Sequence, residues 1–76
     1  MIIGRFIDED FGEVNMDLSK ETGTMVIADL EITNIPNDYD EDMIFRAWNI
    51  FKINYASYGS MCIDYNQISQ MEQIIN

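Results

Sequence analysis

Pro36 divides this chain into two parts that cannot share one secondary structure. Before it, apolar residues fall at alternate positions. After it, they recur every third or fourth residue. A strand shows every second side chain to one face, and a helix shows every third or fourth. The chain must therefore combine a sheet with a helix.

The alternating part reads as three strands. Ile2 to Ile7 is rich in branched and aromatic side chains and is interrupted by the charged turn Asp8-Glu9-Asp10. From Phe11 to Leu18, Val14, Met16 and Leu18 point one way while Glu13, Asn15 and Asp17 point the other. Ser19 to Gly23 supplies turn chemistry. In residues 24–33, Val26, Ala28, Leu30 and Ile32 oppose Asp29, Glu31 and Thr33, which completes a hairpin with one buried and one wet face.

Pro36 keeps Ile35 out of helical geometry, and a helix is expected from Asp40 to Tyr58. Ile44, Ala47, Trp48, Phe51, Tyr55 and Tyr58 mark its core face. Acids crowd its start and Gly59 is its natural stop. Ser60 to Asp64 is open as a fourth strand. Asp64 to Gln67 resembles a capping box that begins a short helix with Ile68, Met71 and Ile75 on one side. The expected fold class is α+β: a small antiparallel sheet of three or four strands against one central amphipathic helix, with a short C-terminal helix. Residues 1–76 are too few for two cores, so one domain is expected. A domain near this size buries only about 60% of the surface its unfolded chain exposes, which makes help from a partner or a second copy reasonable.

Charge narrows the functional classes. Fourteen acids stand against Arg5, Lys20, Arg46 and Lys52, a formal net charge of −10. Such a chain repels nucleic acid and anionic membranes and attracts basic proteins. With a hydrophobic fraction of 47% it is no disordered acidic tail. Residues 8–42 hold twelve of the acids and only Lys20 as a base, whereas ordinary wet faces mix both signs. Two clusters stand out, Asp8, Glu9 and Asp10 with Glu13, and Asp38, Asp40 and Glu41 with Asp42. Glu13, Asp17, Asp29 and Glu31 would line the wet face of the hairpin between them.

Chemistry has few parts to work with. There is no histidine, the commonest general base and metal ligand. Cys62 is the one cysteine, and between Met61 and Ile63 it suits a core position. Its solitude gives no sign of an oxidising compartment. Asp38 to Asp42 begins like a calcium-binding EF-hand loop, but Met43 stands where that loop needs glycine and Asn49 where it needs glutamate. The glycines are scattered singly, so there is no phosphate loop. No enzyme, cofactor or metal is expected. No stretch has the eighteen or so apolar residues of a membrane span, and no signal-peptide layout opens the chain, so a cytoplasmic location is expected.

The expected function is binding. An array of carboxylates on a sheet face and a helix start can occupy the basic groove that nucleic-acid-binding proteins present to phosphates. Asp8, Glu9, Asp10, Glu13, Asp17, Asp29, Glu31, Asp38, Asp40, Glu41 and Asp42 would form that surface, with Tyr39 and Phe45 as apolar anchors. In size and charge the chain is similar to phage-encoded inhibitors that block host nucleic-acid enzymes or defence complexes, a likeness that covers no specific motif. It implies a basic, nucleic-acid-binding protein partner, with no direct nucleic-acid or membrane contact. The alternative is a small structural or accessory subunit. Phe45, Ile53 and Ala56 lie off the core face of the helix, where either the C-terminal segment or an interface, a homodimer included, would cover them.

Overall fold

The computed structural model describes the backbone of residues 1–75 and the side chains of residues 1–71. Strands β1 (Ile2–Asp8) and β2 (Gly12–Ser19) form the first hairpin, in which Phe6 faces Val14 and Ile7 faces Glu13. Gly12 enters β2 at a φ of 74°, a left-handed conformation that costs glycine little. Alternation in β2 is as expected: Val14 and Leu18 are buried, Met16 is half-buried, and Glu13, Asn15 and Asp17 are exposed.

Residues 24–33 are not one strand. They make β3 (Thr24–Ile27) and β4 (Leu30–Thr33), joined by the two-residue turn Ala28-Asp29. A two-residue turn sets Ile27 opposite Leu30 on the same face. Met25 and Ile27 therefore point inward with Leu30 and Ile32, while Val26 and Ala28, expected inside, are exposed. Met25-Val26-Ile27 is apolar throughout, so either parity satisfies the pattern. Ala28 sits at a φ of 53° at the first turn position, where hairpins of this length favour glycine.

Helix α1 (Glu41–Tyr58) begins where its cap dictates. The Asp40 carboxylate accepts the Asp42 N–H at 2.9 Å, and Glu41 and Asp42 occupy the positive end of the helix dipole. At the other end, Gly59 at a φ of 69° donates its N–H to the Tyr55 carbonyl at 2.8 Å. The helix returns the chain to β5 (Met61–Asp64), which lies parallel to β4 and places Ile63 beside Ile32. Parallel neighbours need such a crossover. Asp64 then caps a single 3₁₀ turn, accepting the Asn66 N–H at 2.9 Å, and α2 (Ile68–Ile75) follows.

Among the described residues the result is α+β, with five strands in the order β1-β2-β3-β4-β5, one or two more than expected, and the sheet is mixed rather than antiparallel because α1 returns the chain to β5 in the direction of β4. Val14, Leu18, Met25, Ile27, Leu30, Ile32 and Ile63 from the sheet meet Ile44, Ala47, Trp48, Ile50 and Phe51 of α1 and Ile68 of α2. Tyr55 and Tyr58, expected on this face, are exposed, and Met71 packs partly against the core. The side chain of Ile75 lies outside the described residues. Cys62, expected inside, is exposed, because Ile63 takes the inward position of a strand in which neighbours must diverge. Among the described residues, no helix is long and apolar enough to cross a membrane.

Candidate protein-binding face

Both helices pack on one side of the sheet, and among the described residues its second face is open. One row of side chains crosses all five strands on that face: Ile2, Asp17, Val26, Glu31 and Cys62 are successive cross-strand partners. Every member is exposed. Arg5, Ile7, Glu13 and Asn15 extend the face along β1 and β2. Asp17 and Glu31 stand two strands apart, about 9–10 Å, and Glu13 lies about 13 Å from Asp17 along β2.

Two of these three carboxylates have a cation beside them. The Arg5 guanidinium donates to Glu13 Oε1 at 3.0 Å, and the amino group of Met1 donates to Asp17 Oδ1 at 2.7 Å. All four groups are more than half exposed, so such pairs hold with at most about 1 kcal/mol. Exposed pairs of this strength open readily in water. Asp29 stands at the margin of this face, around one shallow depression with Glu31 and Cys62. It sits in the β3–β4 turn, where its Oδ2 accepts the Tyr55 hydroxyl at 3.2 Å.

The two acidic clusters occupy separate places. Glu9 and Asp10 are exposed at the tip of the first hairpin, and Asp38, Asp40, Glu41 and Asp42 are exposed at the start of α1. Within the second cluster, the Asp40 N–H also donates to the Tyr65 hydroxyl at 2.9 Å, which ties the helix start to the C-terminal segment. Tyr39 packs partly against the core, and Phe45 is 39% exposed with its ring edge-on to Phe6 at 5.6 Å.

Asp8 belongs to the interior. It is only 9% exposed, and its Oδ1 accepts Lys52 Nζ at 2.8 Å and the Trp48 indole N–H at 3.1 Å. Its Oδ2 accepts the backbone N–H groups of Asp10 and Phe11, at 2.9 and 3.2 Å. The Lys52 hydrogen bond, opposed by burial and helped by those N–H groups, holds the Asp8 carboxyl well below the usual carboxylate range. The same bond raises Lys52 above its ordinary value, against the effect of burial. Lys52 also reaches Asp10, at 3.8 Å. Asp8 thus leaves the set available to a partner. A tryptophan on the core face of the helix is the sequence signal for it, since a buried indole N–H requires an acceptor.

The chain matches no protein-family model, no curated protein and no solved structure.

Proposed function

We propose that this chain is a stoichiometric binding protein, a cytoplasmic inhibitor of phage type. Its open sheet face occupies the basic surface with which a host protein holds nucleic acid. One observation carries the reading. Among the described residues, a complete face of a five-stranded sheet is left uncovered, and on its strands Glu13, Asp17 and Glu31 face a single basic side chain, Arg5. Glu9 and Asp10 extend the negative field at the hairpin tip, and Asp38, Glu41 and Asp42 extend it at the helix start. Exposed Ile2, Ile7 and Val26 give the face the apolar contact that charge alone does not supply. Association is then fast and salt-sensitive, because complementary charge acts mainly on the on-rate.

The test compares the chain with its Glu13→Lys, Asp17→Lys, Glu31→Lys variant in capture from host lysate, followed by binding to the purified captured protein. Support is a basic partner that wild type binds, that duplex DNA displaces and that the folded variant binds at least tenfold more weakly. A partner indifferent to both DNA and the reversal sinks the mimicry reading.

One observation favours the second reading, a subunit that assembles through α1. Ile53 remains 61% exposed although Ile50, one turn away, is buried. A serine at position 53 that abolishes capture while the triple reversal leaves it intact would select that reading.

A further inference from the structure

β1 closes the sheet on one side and its outer edge is free. It pairs with β2 alone, and among the described residues no other hydrogen bond reaches the backbone of residues 2–7. Folded proteins ordinarily blunt such edges by shortness, charged side chains, proline, a bulge or a covering loop, and of these β1 has Arg5 and an irregularity at its first residues. Here the edge strand is seven residues long and reads Ile-Ile-Gly-Arg-Phe-Ile-Asp. Its register slips between Ile2 and Gly4 and is regular from Gly4 to Asp8.

α1 runs along this edge on the covered side. Glu41 and Phe45 lie beside Ile3, Phe6 touches the rings of Phe45 and Trp48, and Asp8 holds Trp48 and Lys52. The exposed ring of Phe45 thus overlooks the middle of the edge, and Ile7, 78% exposed, projects on the opposite side of the same strand. At the Ile3 end lies a cleft of about 360 Å³ among Leu18, Ile35, Pro36 and Tyr39, with Met1 and Lys20 also lining it.

The geometry points to β1 as an acceptor edge: an extended basic segment of the partner protein adds there as a sixth strand, its alternate side chains lying against Phe45 and against Ile7. This rests on the reading that the partner is basic and adds how it is held. Backbone pairing gives such an edge its affinity, and the side-chain sites on either face give it selectivity. Charge selects the occupant. Glu9 and Asp10 stand past one end of β1. At the other end stands Glu41, with the Met1 amino group engaged by Asp17 and Lys20 on the far side of the cleft, while Arg5 on the strand is engaged by Glu13. A second copy would bring one chain of net charge −10 against another of the same charge. A segment with apolar alternation and lysine or arginine at both ends meets the edge and both clusters.

The test uses the full chain and a blocked probe peptide, Lys-Lys-Val-Thr-Val-Thr-Val-Lys-Lys, at low salt. Its control is the same peptide N-methylated on alternate residues, which keeps the charge but cannot pair. Residue-resolved amide exchange should slow at alternate positions between Gly4 and Ile7 when the probe binds. Losing the backbone bonds should weaken the methylated peptide by about tenfold or more. Phe45→Ala should weaken the unmethylated probe and leave the exchange pattern of the free protein unchanged. Equal binding of the two peptides, with resonance shifts at Glu13, Asp17 and Glu31, overturns strand addition and leaves the open-face function standing. Absence of binding by the unmethylated probe overturns it as well. So does protection of β1 that grows with protein concentration and no peptide, which would make a second copy the occupant.

Discussion

The indole N–H of Trp48 donates to Oδ1 of Asp8 at 3.1 Å across forty residues of chain. Through this bond and that of Lys52 to the same oxygen, the tip of the first hairpin is fastened to the middle of α1. Phe6 and Phe11 hold the Trp48 ring edge-on from two sides, each at 5.3 Å between centroids. An acid from one of the two negative clusters of the chain therefore acts as an internal fastener.

Asp8→Ala should lower the melting temperature more than alanine at Glu9, Glu21 or Glu31, by at least about 5 °C in a domain of this size. Asp8→Asn retains an acceptor for Trp48 but loses the charge that Lys52 faces, and should fall between Asp8→Ala and wild type. Thermal denaturation of the four alanine variants checks the order. Equal melting temperatures would show that the fastener carries no stability.

The same carboxylate sets a pH dependence. Its folded-state pKa lies below the ordinary 3.8, so its contribution is complete above pH 3.8 and is lost as pH falls toward the folded value. Lys52 is raised above 10.5, so its share is complete below pH 10.5 and is lost as pH climbs through the raised value. The stability gap between wild type and Asp8→Asn should be flat from about pH 5.5 to 9.5 and narrow on both sides. Other acids are common to both proteins and largely cancel. Urea titrations across that range measure the gap, and a gap that widened on acidification would contradict the assignment.

Ala28→Gly should stabilise the domain. A left-handed alanine costs about 1–2 kcal/mol, and the extra freedom of an unfolded glycine returns about 0.5–1 of this. A net gain of about 0.5–1 kcal/mol should appear as a higher urea midpoint at unchanged slope. No gain would mean that the turn relaxes its backbone in solution.

Phe51 and Ile53 are two residues apart and should behave oppositely. Phe51 is fully buried, so Phe51→Ala should cost about 3–5 kcal/mol, most of the margin of a chain this long. Ile53→Ser, at an exposed site, should change stability by less than about 0.5 kcal/mol. If chemical denaturation shows a larger, concentration-dependent loss for Ile53→Ser, the helix face is covered by a second copy.

Features set by a few neighbouring residues are legible in the sequence. Asp40 and Gly59 bracket α1 within a residue of the expected limits, because a side-chain acceptor and a left-handed glycine act over one turn. Alternation in β2 is equally plain. Parity and partnership are harder to read. Ala28 carries none of the composition of a turn, so the β3–β4 hairpin has the sequence pattern of one strand. Cys62 has apolar neighbours on both sides, yet only one parity faces inward, and Ile63 fills it. Asp8 has the same local setting as Glu9 and Asp10, and only the fold brings Lys52 and Trp48 to it. Among the carboxylates of the candidate face, Glu13, Asp17 and Glu31 follow from alternation, while Asp29 is displaced by a turn that no local signal marks.

The parallel pairing of β4 with β5 has a consequence for the order of assembly. Every other strand pair is a hairpin, but Leu30 must wait for Met61, thirty-one positions later, before its edge is covered. On a ribosome adding about 5–20 residues per second, that interval lasts a few seconds. For much of it, the apolar underside of the meander lacks its complete helix, and throughout it Leu30 and Ile32 border an open edge. Twelve acids have been made by residue 42, before α1 has formed its first full turns. Like charge keeps such unfinished chains apart. The early placement of the acids thus shields the nascent chain during the stage in which it is most prone to stick.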